Sequence, residues 1–251
     1  MTRGALLPLI GIVVALLVWE AAVRGFGVPG YLVPAPSAVF AEIWDFPLWY
    51  AQQAAFTTGI TLAGFAAAAV FGVAFAILIT ESRTLERLLF PPFVALNSVP
   101  KVALAPLLVI WFGTGSPPKI LVAFLVAVFP VVVDSALGLR SAPPDVLDLA
   151  RALRGSRWSV LLRIKFFAAL PSIFAGLKVA MSLALVGAIV GEFVSSQNGL
   201  GHVILSAQGS FDTARVFAAL MLLAVIGMAL IALVGFVERR AMPWRRGATG
   251  H

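Results

Sequence analysis

Three ionisable residues, Asp134, Lys178 and Glu192, stand inside otherwise apolar runs of this 251-residue chain. A charge carried into lipid costs roughly 3 kcal/mol on insertion scales unless protein or a wet cavity receives it. Two chemistries are open to such groups: contact with a solute along a path, or structural pairing. For Lys178 and Glu192 the residues leave both open, and the long lysine could also reach an interface. Asp134 is expected to tie its segment to a neighbour. Covalent chemistry has no comparable candidates. The chain has no cysteine, no His-Glu-x-x-His pair, no Gly-x-Ser-x-Gly elbow and no Gly-x-x-x-x-Gly-Lys-Ser/Thr phosphate cradle. His202 stands without a second ligand at metal spacing, and His251 is terminal. No catalytic residue, metal site or cofactor of this chain's own is therefore expected.

A second group of residues has a different character. Residues 145–165 form a basic, half-polar stretch between two long apolar runs, 118–139 and 168–194. Asp145 or Asp148 could cap a helix there and place negative charge in its first turn. Leu149, Leu153 and Trp158 could share an apolar side, leaving Arg151, Arg154 and Arg157 projecting, with a Gly155-Ser156 turn between. A basic loop that only fixes membrane topology would contain the same arginines. A helix, a turn and a second amphipathic stretch are more organised than topology requires, which favours a docking element.

Composition supplies the medium for both groups. Hydrophobic residues make up 61% of the chain and charged ones 12%, with a mean hydropathy of +1.03. A water-soluble domain could not cover that much apolar surface, so lipid must solvate much of it. Six apolar segments, 6–23, 55–80, 88–112, 118–139, 168–194 and 216–237, meet the ~20 residues a membrane-crossing helix needs. The first resembles a signal peptide in length, but no small-x-small cleavage site follows it, so it is read as a retained span. With the N-terminus inside, thirteen of the eighteen Lys and Arg fall on inside segments and three, Arg24, Lys119 and Arg215, outside; Lys101 and Lys178 lie within spans. That asymmetry places both termini and the 145–165 loop in the cytoplasm. The net charge of +7 is thus a topology signal and does not indicate nucleic acid.

The remaining features position these groups. Prolines 91, 92, 100 and 106 interrupt the third segment around Asn97 and Ser98. It is expected to be bent and to face inward, because freed backbone groups at membrane depth need protein or water. Asn97 and Ser98 accordingly join Lys178 and Glu192 as candidate pathway residues. Thr57, Thr58, Gly59, Gly64 and Gly72 in the second span, with Gly176, Gly187 and Gly191 in the fifth, suit close helix packing. Between the first two spans, prolines at 34 and 36 and the aromatics Trp44, Trp49 and Tyr50 suit a helix lying at the membrane surface. Glu20 and Arg24, four apart, suit a local helix pair.

The loop resembles the coupling segment of permease subunits of bacterial ATP-binding-cassette importers, whose pattern is Glu-Ala-Ala, three residues, Gly, nine residues, then Ile-x-Leu-Pro. Asp148, Leu149 and Ala150 fall on Glu-Ala-Ala, Arg154 on the glycine with Gly155 beside it, and Ile164 on the isoleucine. Phe166-Phe167 replace Leu-Pro. Four further stretches resemble the branch importing nitrate, sulfonates, taurine and vitamin pyrimidines: residues 32–39, 99–115, 168–178 and 190–193, with Gly199-Leu200-Gly201 following in order.

The resemblance covers nearly the whole length. It implies an all-α, type I importer permease of six transmembrane helices, one domain over residues 1–251, in the bacterial inner membrane. It further implies a cytoplasmic ATPase subunit that binds ATP and magnesium, an extracytoplasmic solute-binding protein and a second permease copy. Asp148, Leu149, Ala150, Arg151, Leu153, Arg154, Gly155 and Trp158 are the residues expected to couple to the ATPase. The alternative is a stand-alone carrier or channel, for which the chain lacks detectable inverted repeats.

Overall fold

In a computed structural model, residues 6–244 are described and fold into helices. Four helices are long and apolar enough to cross a membrane, and one bent pair would make a fifth span. The first helix, α1 (Leu6–Gly25), leads into α2 (Pro36–Asp45) and then α3 (Pro47–Glu81). The interrupted segment follows as α4 (Arg83–Asn97), a 3-10 turn at Lys101–Leu104, and α5 (Ala105–Phe112). Then come α6 (Ser116–Arg140), α7 (Pro144–Ala152), α8 (Arg157–Val160), a π turn at Leu161–Lys165 and α9 (Phe166–Ser195). The chain closes with α10 (Leu200–Gly209) and α11 (Thr213–Ala241). Five of the six apolar segments read from the sequence fall within a single helix, and the third is divided among α4, the 3-10 turn and α5. His251 lies outside the described residues.

Small residues decide the packing. Lipid gives no hydrophobic drive for two apolar helices to associate, so close approach and dispersion must hold them together. Helix α6 runs between α3 and α9, and Ala123 is its tightest point. A Cβ on Gly187 of α9 would lie 2.7 Å from the Ala123 Cα, and one on Gly64 of α3 would lie 2.5 Å from its Cβ. Gly72 meets Val131, Gly176 meets Asp134, and Gly191 meets the Lys119 backbone in the same way. Gly59 has no neighbour within 4 Å and takes no part. Asp134 lies directly against Gly176 of α9.

The third apolar segment is interrupted as expected, and sharply: its two halves bend by 84°. Pro91 and Pro92 lie inside α4, and the ladder stops at Asn97. Lys101 spans the break, its amine donating to the Asn97 carbonyl at 3.1 Å and side-chain oxygen at 2.5 Å. Within one chain α4 has no buried residue. The surface helix between the first two spans is shorter than its aromatics suggested. It ends at Asp45, and Pro47 starts α3, so Trp49 and Tyr50 belong to the span and Tyr50 is buried.

Candidate functional site

Helix α7 is built by its ends. Pro143 precedes it and Pro144 fills its first turn, where no backbone donor is needed, so neither Asp145 nor Asp148 acts as a side-chain cap. Asp145 still places negative charge at the helix start, and Asp148 pairs with Arg151 at 2.7 Å. At the other end the Gly155 N–H donates to the Ala150 carbonyl and the Arg154 N–H to the Arg151 carbonyl, both at 2.9 Å. These two bonds form a Schellman closure, whose penultimate residue must take a left-handed conformation. That residue is Arg154, with φ of 54°. The left-handed residue therefore sits where the coupling pattern carries its glycine; Gly155 instead lies tight against the Ala150 carbonyl.

The closure leaves an apolar ridge uncovered. Leu149 is 60% exposed and Leu153 75%. Val146, also exposed, sits three residues before Leu149 and completes the same face. The sequence reading missed it, although the i, i+3, i+7 spacing was available. Trp158 is 70% exposed but does not share that face. It lies on α8 and borders a recess with Ile77, Leu78 and Leu85 at the end of α3 and start of α4. Arg151, Arg154 and Arg157 are exposed around the ridge.

Behind the ridge the loop is anchored firmly. Ser156 caps α8 by accepting from the Ser159 N–H at 3.2 Å. Leu161, in the π turn, is buried in the main core with Ile79 and Leu139. Lys165 pairs with Glu81 of α3 at 2.5 Å, and Arg140 with Glu86 of α4 at 2.7 Å. Residues 157–195 thus run as one helical rod from loop to far end. No proline terminates the loop at 166–167; Phe166 and Phe167 open α9 directly after the π turn.

The candidate pathway residues are not brought together. Lys178 forms an ion pair with Glu238 of α11. Glu192 is fully buried at the opposite end of the bundle from α7. There it accepts from the Gly201 N–H at 2.7 Å and the Thr57 hydroxyl at 3.1 Å. Thr57 accepts in turn from the Leu200 N–H at 2.8 Å, and the Gln53 side chain from the Gly199 N–H at 2.6 Å. Side chains of α3 and α9 thereby satisfy the donors at the start of α10. Gly199, with φ of +102°, leaves room for the Glu192 carboxyl that any side chain there would strike. Lys119, also buried, donates to the Thr114 and Gly115 carbonyls at 2.8 and 2.7 Å. Asn97 and Ser98 stay at the break in the third span, Ser98 exposed. Glu20 does more than pair with Arg24. It accepts from the Ser37 N–H and hydroxyl, fastening α1 to the start of α2. Among the described residues no cluster of His, Cys, Asp or Glu could hold a metal.

Residues 59–243 match the family described as binding-protein-dependent transport system inner membrane component. The chain belongs to that family. It is 35% identical to the riboflavin transport system permease protein RibX of Chloroflexus aurantiacus over 94% of this chain and 91% of that protein. The formylaminopyrimidine transport permease protein ThiX of Halalkalibacterium halodurans is 31% identical over 96% and 97% of the two chains. A putative aliphatic sulfonates transport permease protein, SsuC of Bacillus subtilis, is 29% identical over 99% and 89%. In fold, the chain superposes on the MetNI methionine ABC transporter in an inward-facing form with a TM-score of 0.63. That match has 16% identity and covers 84% of this chain and 97% of the other. This family member is a multi-pass membrane permease, a transport subunit of an ABC system. Helices α1 and α2 precede the matched segment.

Proposed function

We propose that the permease is driven by a separate cytoplasmic ATPase that grips α7 and turns its movement into movement of α9 and α3. The observation that carries this reading is the pre-formed, Schellman-closed helix with Val146, Leu149 and Leu153 uncovered, set on a rod anchored at Leu161 and Lys165. An exposed apolar ridge with an arginine rim has the anatomy of a docking surface: apolar anchors at the centre, charges governing encounter at the edge. Rigid-body motion of a short helix is transmitted when its neighbours are packed and bistable.

In this reading the whole chain acts as one permease domain of the bacterial inner membrane. Helix α1 is the sixth span, and both termini face the cytoplasm with α7. Asn97 and Ser98 line the path at the broken third span, and Lys178 and Glu192 serve as structural ties. The uncovered α4 receives a second copy of the chain. A solute-binding protein delivers to the opposite end, and ATP with magnesium stays on the ATPase. The solute is small and polar. The riboflavin and formylaminopyrimidine relatives favour a nitrogen-heterocyclic vitamin or precursor, with sulfonate, nitrate or taurine as the second reading.

Ala150→Glu tests the coupling. The variant is expected to insert normally and to lose at least about tenfold of solute-stimulated ATP hydrolysis, since truncating or charging a buried anchor costs over ~1.4 kcal/mol. Normal uptake with the ATPase still bound would leave 145–165 as a topology signal only.

A further inference from the structure

Helix α1 has few ties to the bundle. Glu20 and Arg24 hold it to α2, and the Trp19 ring lies 5.5 Å from that of Phe217 on α11. Where α1, the connection 26–35 and α2 face α11, a seam stays open as two recesses, one of about 610 Å³ lined largely by residues 27–35 and, next along the helices, one of about 320 Å³. The bordering positions step along one face of each helix: 24, 23, 19 and 16 on α1, then 213, 214, 217, 220 and 221 on α11. Residues three and four apart share a face, so the two recesses are successive stretches of one groove.

The chemistry of the groove changes along its length. The first stretch presents Arg24, Tyr31, Asp212 and Thr213. The second is walled by Leu16, Trp19, Val39, Phe217, Leu220 and Met221, and has no charged group. Helix α11 is long and apolar enough to cross a membrane. Its 217–221 stretch therefore lies toward hydrocarbon, while Asp212 caps its end by accepting from the Arg215 N–H at 3.1 Å. Water has too few partners in the apolar stretch, and an empty slot would forfeit dispersion along both walls.

We propose that this seam is a site for one zwitterionic phospholipid, its acyl chain between α1 and α11 and its headgroup between Arg24 and Asp212. The charges select the headgroup. Arg24 donates through Nε to Glu20 at 2.5 Å and through Nη2 to Ser37 at 3.1 Å, which leaves guanidinium donors for a phosphate. The Asp212 carboxylate, also in the recess lining, shares Arg215 with Glu42, at 3.5 and 3.0 Å, and so keeps capacity for an ammonium. A purely anionic headgroup would meet two cations, Arg24 and Arg215, that already serve three carboxylates, Glu20, Glu42 and Asp212, and would face that negative excess. The site lies outside the family-matched segment on its α1 and α2 sides, and it holds whatever solute is carried.

Native mass spectrometry of the detergent-purified full chain tests this. The protein is offered equal amounts of phosphoethanolamine and phosphoglycerol lipids with the same acyl chains. A one-to-one adduct favouring phosphoethanolamine is expected. Arg24→Gln should lower it about tenfold, the worth of one hydrogen bond to a charged group, and Leu220→Trp, which fills the apolar stretch, should lower it at least as far by excluding the acyl chain, with gel-filtration behaviour unchanged in both. An undiminished adduct in both variants, or no headgroup preference, overturns the proposal. Loss of self-association in Leu220→Trp also overturns it, since the seam would then be a subunit contact. If Leu220→Trp does not fold, Arg24→Gln and competition by acyl-free glycerophosphoethanolamine decide. Displacement of the lipid by the headgroup alone would sink the acyl-chain assignment, and failure to displace supports it.

Discussion

Replacing Arg154 by glycine asks whether α7 is held as a rigid strut. The Arg154 backbone is left-handed, at φ of 54°, which costs a residue with a Cβ roughly 1–2 kcal/mol. Glycine removes that penalty and adds about 0.5–1 kcal/mol of lost unfolded-chain freedom. It also deletes a cation near a helix C-terminus, so Arg154→Ala, which keeps the strain and loses the same charge, is the proper reference. The glycine variant should exceed the alanine variant by about 0.5–1 kcal/mol in α7 stability, a factor of roughly 2–5 in the folded population of the loop helix. A nine-residue helix is marginal alone, so a shift of this size is visible. Amide hydrogen exchange across 144–155 measures it directly, and the Gly155 amide bonded to Ala150 should report most strongly. If docking requires a formed helix, ATPase affinity rises by the same factor. Equal protection in the glycine and alanine variants would refute the closure as the element that orders the loop.

Three further outcomes follow from the packing and the charge pattern. Gly187→Leu would drive a side chain into the Ala123 backbone at 2.7 Å, where nothing flexible can yield. A loss of 3 kcal/mol or more, or failure to recover folded protein, is expected in thermal unfolding in detergent, whereas Gly59→Leu should be nearly neutral. Thr57→Val removes a hydroxyl that serves both Glu192 and the Leu200 N–H. Leaving those buried groups short should cost about 1–3 kcal/mol, with exchange of the Leu200 amide rising in step. Reporter fusions after Gly115 and after Ser210 should read outside, and those after Arg83 and Arg157 inside; a cytoplasmic signal at Gly115 would invert the topology.

Much of this protein follows from its sequence alone. Runs of apolar residues locate the helices because an isolated backbone in lipid has few alternatives to helix. Proline spacing announced the break near Asn97, because a missing N–H and a ring clash act locally. The glycines at 64, 72, 176, 187 and 191 announced close packing, since their only asset is the absence of a side chain. The segment 145–165 could be picked out as a helix and turn between spans for the same local reasons. Tertiary structure decided what depends on distant partners. Glu192 and Lys178 looked alike as buried charges, yet one satisfies the start of α10 with Thr57 and the other pairs with Glu238. No local spacing links residues 57, 192 and 201. Tyr50 seemed an interfacial aromatic until Pro47 began α3 early and turned it inward. Arg154 gave no sign of left-handed geometry, because arginine has no preference for it; the closure by Gly155 and Ala150 imposes it. Local covalent constraints are written in the residues themselves, whereas the partner of a buried charge is set by which helices end up side by side.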